Sequence, residues 1–143
     1  MNVLQLLKLK GSRTIETVAP QLSLSEVAEL LSAKRIGALV VSTDGKTVAG
    51  IISERDIVRR LGQDGADCLG LAVGEVMTSD VTTCALSETA LSVLERMTEG
   101  RFRHMPVLEN GQMVGFLSIG DVVKARISEI ETDNAALVEM LQG

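Results

Sequence analysis

Tryptophan and tyrosine are absent from this chain of 143 residues, and there are only two phenylalanines. A core built here must be aliphatic, and the aromatic platforms on which single-stranded nucleic acid stacks are scarce. Positive charge is also short. Lys and Arg number 14 against 19 Asp and Glu, a net charge of −5. That balance argues against a general DNA or RNA binder, though not against a small anion held by a local basic cluster. The two cysteines, Cys68 and Cys84, make no metal-ligand spacing with each other or with the single histidine, His104. They are expected to be free thiols in a reducing compartment. No apolar run approaches the roughly 20 residues of a membrane span. The start of the chain, Met1 to Lys8, carries a short apolar run with no charged region before it and no cleavage site. The expectation is a soluble cytoplasmic protein with neither a membrane nor a nucleic acid as partner.

What is present is globular in character: 45% hydrophobic and 23% charged residues, in a length that suits one domain or two small halves sharing a core. The most informative stretch is Gly115-Phe116-Leu117-Ser118-Ile119-Gly120-Asp121. The same word occurs earlier as Gly50-Ile51-Ile52-Ser53-Glu54-Arg55-Asp56. Each copy reads as a short buried strand entering a helix, with Ser at the cap and Asp in the first turn. Shifting the chain by 66 residues lays Val27 on Val93, Glu29 on Glu95, Arg35 on Arg101, Val41 on Val107 and Gly45 on Gly111. One extra residue in the first hairpin makes the shift 65, which lays Gly50, Ser53 and Asp56 on Gly115, Ser118 and Asp121. The chain is therefore an internal repeat.

Periodicity and punctuation place the elements. Residues 2–10 read as a helix with Val3, Leu4 and Leu7 on its apolar face, ended by Gly11-Ser12-Arg13. Residues 14–19 alternate like a strand that Pro20 stops. Ser23 and Glu26 form a capping-box pattern before an amphipathic helix over 24–35. Residues 37–41 read as a strand buried on both faces, Asp44-Gly45-Lys46 as a hairpin turn, and 48–52 as the returning strand. Ser53 opens a helix with Ile57, Val58 and Leu61 inward, and 62–71 reads as a loop. The second copy follows with a strand over 81–85, a helix capped by Ser87 bearing Leu91, Leu94 and Met97, strands over 102–108 and 113–117, and a turn at Glu109-Asn110-Gly111. The last helix starts near Ser118, runs past Ile130 and continues through Met140. Its leftover apolar positions point to docking against a partner chain.

This order, with Gly-x-x-Ser-x-x-Asp opening a helix in each copy, resembles the cystathionine-β-synthase (CBS) domain. The resemblance covers roughly residues 8–132 as a tandem pair: repeat 1 over 8–65, repeat 2 over 72–132, and a helical tail over 133–143. It is strongest through Arg103 to Val107 and Gly115 to Asp121. It is similar to stand-alone bacterial CBS-pair proteins. The fold class implied is α/β (α+β): two pseudo-twofold β-α-β-β-α repeats packed as one module, with a long C-terminal helix. The resemblance also implies clefts for adenosine-containing ligands (AMP, ADP, ATP, NAD(H) or S-adenosylmethionine) and homodimers of CBS pairs arranged as a disc.

The residues suit such a ligand. An ionised Asp can accept both hydroxyls of a ribose in a bidentate bond, and Asp56 and Asp121 are placed for it. Either Asp would also stabilise a helix start with no ligand at all. Arg55, Arg103 and His104 supply positive charge for a phosphate, whereas Arg59 and Arg60 read as solvated surface. Ile36, Gly37, Ala38 and Leu39 offer a slot for adenine in one copy; Phe102, Met105 and Pro106 offer bulkier walls in the other. Carried over from the family, Ser53, Arg55 and Asp56 would face Thr82, Arg103, His104 and Pro106. Ser118, Gly120 and Asp121 would face Gly37, Ala38 and Leu39 together with the 14–19 strand. The first grouping is the more positive and the second the more neutral, with Gly120 standing where the first copy has Arg55.

Chemistry beyond binding is not signalled. There is no nucleophile–base pair, no metal spacing and no phosphate loop of the Gly-rich Lys-Ser/Thr kind. The expected role is a regulatory module that senses adenine nucleotide and signals to a partner protein through altered packing. The alternative is a ligand-free dimerisation scaffold.

Overall fold

Caps and turns chosen by short stretches of sequence set most element ends. The computed structural model describes residues 1–11 and 15–142. Ser12, Arg13 and Thr14, part of the expected helix stop and of the expected 14–19 strand, lie outside the described residues. Helix α1 (Val3–Lys10) starts at an Asn2–Gln5 capping box and ends at Gly11, whose φ of 74° is the left-handed conformation glycine takes most easily. Then come β1 (Thr17–Val18), α2 (Leu24–Lys34), β2 (Ala38–Val41), β3 (Gly50–Ser53) and α3 (Glu54–Asp64). A 3-10 stretch over Gly65–Gly70 leads to α4 (Val73–Val76). The second half holds α5 (Ala90–Gly100), β4 (His104–Glu109), β5 (Gln112–Ser118) and α6 (Ile119–Gln142). Among the described residues no helix is long and apolar enough to cross a membrane.

Two compact units result, and they do not follow the sequence halves. One comprises Thr14–Thr82 with Asn110–Val114; the other comprises Met1–Arg13, Thr83–Glu109 and Gly115–Gly143. In the first, a three-stranded sheet runs β1-β2-β3. β1 is parallel to β2 (Val18 opposite Val41), and β3 is antiparallel to β2 (Leu39 opposite Ile52, Ala38 opposite Ser53). All four residues of β2 are buried, as its unbroken apolar run requires. The core is Leu24, Val27, Leu31, Leu39, Ile52 and Val73 with their neighbours. β4 pairs with β5, which enters the second unit at Gly115, and in that unit Val3, Val93, Met97, Met105, Leu117 and Val122 anchor the core.

The repeat holds in three dimensions. Val27 and Val93 are both fully buried, as are Val41 and Val107. Arg35 and Arg101 each close a helix in the left-handed conformation, at φ 54° and 57°. Gly45 and Gly111 take the positive φ of their turns, at 75° and 77°. The short helix before each repeat is exchanged. α1 is bridged at Asn2 to Thr89, and Ala72 before α4 is bridged at Ser23, so each short helix joins the unit built mainly from the other repeat.

Several sequence expectations are corrected. On α1 the buried residues are Val3 and Leu6, while Leu4 faces out. The 62–71 stretch is no open loop: α3 continues to Asp64, and the 3-10 stretch buries Cys68. Val58 is 67% exposed, because Ile57 and Leu61 hold the inward face of α3. Residues 81–85 form no strand; only Cys84 bridges, to Val107. Helix α5 is capped by Thr89 rather than Ser87, since Glu88 Oε2 accepts from Ala85 N–H at 2.6 Å and holds 85–88 in a turn. Leu91 is exposed; Ala90, Val93 and Met97 carry the buried face.

Candidate functional site

Each Gly-x-x-Ser-x-x-Asp word forms the corner it implies. In the Thr14–Thr82 unit, Gly50 begins β3 where a Cβ would come within 2.5 Å of Met77 Sδ and 2.8 Å of Thr78 O, so any side chain there forces its neighbours to shift. Ile52 anchors the strand in the core. Ser53 caps α3: its Oγ accepts from Asp56 N–H at 3.3 Å. Asp56 Oδ2 accepts from Ser53 N–H at 2.9 Å and from Ser53 Oγ–H at 3.0 Å. Arg59 Nη1 lies 3.9 Å from Asp56 Oδ1, and Arg55 is exposed beside it. Glu54 N–H donates to Gly37 O at 2.9 Å, which brings Gly37 against this corner.

The second unit repeats the arrangement at the junction of β5 and α6. Ser118 N–H donates to Asp121 Oδ2 at 2.9 Å, and Asp121 N–H to Ser118 Oγ at 3.1 Å. Ile119 N–H donates to Arg103 O at 2.8 Å, which places Arg103 here. His104 stacks on Phe116, with ring centroids 5.5 Å apart. Lys10, at the end of α1, donates to Phe116 O at 2.6 Å and lies 3.0 Å from Asp121 Oδ2. Burial works to raise the Asp121 carboxyl, but the Ser118 backbone N–H and the Lys10 ammonium outweigh it and hold the carboxyl below its ordinary range. A groove of about 380 Å³ opens beside it, lined by Leu6, Leu9, Lys10, Asp121, Lys124, Ala125 and Ser128.

This geometry changes two expectations and bears on a third. In each Asp, Oδ2 already accepts two hydrogen bonds, so Oδ1 is the freer oxygen. Oδ1 and its two lone pairs are what each offers. The Asp121 corner is not neutral: Lys10 sits on it, and Lys124 lines the adjacent groove. Met105 is not a wall of a slot. The side chains of Met105 and Leu39 lie in the two cores, Ala38 and Pro106 are also buried, and what Leu39 and Met105 can present is backbone. Thr82 and Gly120 are exposed. Within the units, Gly37 neighbours Ser53 and Arg103 neighbours Ser118, each beside the corner of its own repeat. Lys124 could have been found, since the 65-residue shift lays it on Arg59. Lys10 could not, for no local pattern ties it to Phe116, 106 positions away.

Two half-buried carboxylates are thus each fixed by a helix start and bordered by cations. The chain belongs to the CBS-domain family: the CBS domain model matches residues 11–63 and again 73–128. A CBS-domain protein from Agrobacterium tumefaciens, ATU1752, is 45% identical and superposes with a TM-score of 0.84 over 88% of this chain and 99% of that one. The mitochondrial CBS domain-containing protein CBSX3 of Arabidopsis thaliana is 34% identical over 122 residues, 82% of this chain but 59% of that protein. CBSCBSPB5 of the same plant is 28% identical, and the chain spans 24% of its length. The CBS domain pair of protein MJ0100, solved in complex with 5′-methylthioadenosine and S-adenosyl-L-methionine, shares the fold at 23% identity, a TM-score of 0.77, and 90% and 98% coverage of the two chains.

Proposed function

We propose that this chain is a regulatory adenine-nucleotide-binding module, taking AMP, ADP, ATP or NAD(H), that reports cellular energy or redox state to a protein target. It acts as a homodimer of CBS pairs in the cytoplasm and catalyses no reaction. The repeats span 8–65 and 72–132. Asp56 and Asp121 each receive ribose hydroxyls on Oδ1, with Ser53 and Ser118 holding the carboxylates in place. Arg55, Arg103, His104 and Lys10 meet phosphate. Gly37, Ala38, Leu39, Met105 and Pro106 meet the base through backbone and small side chains, and Thr82 and Gly120 border the ligand. Occupancy favours the packing that fits the ligand, and the target reads that packing.

The observation that carries this reading is the recurrence of one corner in both units, with the same Oδ2 committed to the cap each time. Adenosine-type ligands in the MJ0100 complex support the ligand class. A scaffold that binds nothing is the second reading, favoured by the fact that both aspartates already serve the helix caps. Calorimetric titration with AMP, ATP and NADH separates them. The module should bind at least one with saturation, and ligand at a hundred times its Kd should add about 2.7 kcal/mol of stability. No heat and no melting shift with any of the three would leave the scaffold. Hydrolysis of the nucleotide in the same vessel would overturn the non-catalytic reading.

A further inference from the structure

We propose that the C-terminal half of α6 pairs with the same segment of a second copy of this chain as a parallel, in-register, two-stranded coiled coil. The proposal rests on the homodimer part of the proposed function and needs no nucleotide.

Helix α6 outruns its own core. Val122 and Ala125 are its buried residues, and every described residue from 131 onward is exposed. The exposed part is nevertheless patterned. Ile127, Ile130, Asn134, Leu137 and Leu141 follow at alternating steps of three and four, the 3.5-residue period of a coiled-coil seam. The four apolar members of that seam are between 49% and 79% exposed. In heptad terms Ile127, Asn134 and Leu141 are a positions, and Ile130 and Leu137 are d positions.

Two features name the occupant. Asn134 interrupts an otherwise apolar seam. A parallel pair sets a against a, so the two Asn134 amides can bond each other. An antiparallel pair sets a against d and leaves Asn134 facing Ile130 or Leu137, unsatisfied. Ile130 at d favours more than two strands, and Asn134 is what holds the number at two. The flanking charges agree: Arg126 at g and Glu131 at the following e have opposite signs, which in a parallel pair meet across the seam. Arg126 now bonds Glu129 of its own helix at 2.5 Å in a partly buried contact, and Glu129 also pairs with the Met1 ammonium, so pairing across the seam would exchange one partner of Arg126 for another.

The test uses the full chain carrying Leu141→Cys; the native Cys68 and Cys84 are buried. Mild oxidation at micromolar concentration should join most chains as disulfide dimers through position 141. Leu137→Glu in the same chain should lower that yield at least severalfold while the folded body melts unchanged. Asn134→Ile should move the sedimenting mass above that of a dimer. Chains bearing Arg126→Glu mixed with chains bearing Glu131→Arg should pair with each other more often than random exchange gives. No cross-link at 141, or a cross-link indifferent to Leu137→Glu, would overturn the proposal. Unbiased mixing would overturn the parallel register. A nucleotide titration that fails leaves these readouts untouched, so the two readings fail separately.

Discussion

Lys10 and Asp121 should be coupled, and the coupling can be measured without any ligand. The ammonium lies 3.0 Å from Asp121 Oδ2, with the side chains 30% and 24% exposed. Pairs on open surface are worth about 0.2–1 kcal/mol, and this one is partly sheltered and also anchored to Phe116 O. The coupling energy should therefore be about 1 kcal/mol. A double-mutant cycle of Lys10→Met and Asp121→Asn, read by urea unfolding at neutral pH, isolates it, because Asn keeps an oxygen to accept from Ser118 N–H. The sign with pH follows from the lowered Asp121 pKa. A carboxylate whose folded pKa lies below its unfolded value, about 3.9, contributes stability that is present above that value and lost as pH falls through the folded one. The coupling should thus be constant near neutrality, fall in acid below about pH 4, and vanish once Asp121 is protonated in both states. In Lys10→Met, carbon-detected NMR titration should show the Asp121 pKa raised toward the ordinary range. A coupling below about 0.3 kcal/mol, within the usual error of additivity, or an Asp121 pKa that ignores Lys10, would refute the assigned contact.

The two matching glycines of the repeat should differ in cost. A Cβ on Gly50 meets Thr78 backbone oxygen at 2.8 Å as well as Met77, whereas on Gly115 the nearest atoms all belong to the Leu7 side chain, its two methyls at 2.7 Å. Gly50→Ala should cost roughly 2–3 kcal/mol and Gly115→Ala about 1 kcal/mol by denaturant melts, and equal costs would contradict this packing. Arg35→Gly should be neutral or stabilising by about 0.5–1 kcal/mol, because φ is 54° there; a loss in urea melts would show that the side chain matters more than the strain. The Cys84 thiol, raised to about 11 by burial and then by the Glu88 charge, should resist a thiol reagent at pH 8 until the protein unfolds. Rapid labelling of the folded protein at Cys84 would argue against that burial.

What could be read from sequence was whatever local chemistry decides. The buried strand Ala38–Val41, the Asp44–Gly45 turn and the Ser caps at 53 and 118 each follow from a few adjacent residues. So does the repeat, whose shift lays one left-handed arginine on the other. The misreadings arise where two local signals compete. Val81, Thr82 and Thr83 have strand-forming side chains, yet β-branched residues make a strand only if a neighbour supplies the ladder, and the ladder there is a single bridge at Cys84. Ser87 and Thr89 can both cap a helix, and the Glu88–Ala85 turn decides for Thr89. At the site, the aspartates were legible but their committed oxygen was not. A capping box takes one lone-pair set before any ligand arrives, and only coordinates show which.

The exchange of short helices has a consequence for the order in which the molecule can be made. α1 is synthesised before its core partners Val93, Met105, Leu117 and Val122, which all belong to the second repeat. The unit holding Thr14–Thr82 has nearly all its core in hand by midway, so it can close while translation continues. Helix α1 must wait, its Val3 and Leu6 uncovered, for the second repeat to emerge. A gene cut between the repeats would strand each short helix with the wrong half, so neither fragment should fold as a faithful copy of its repeat.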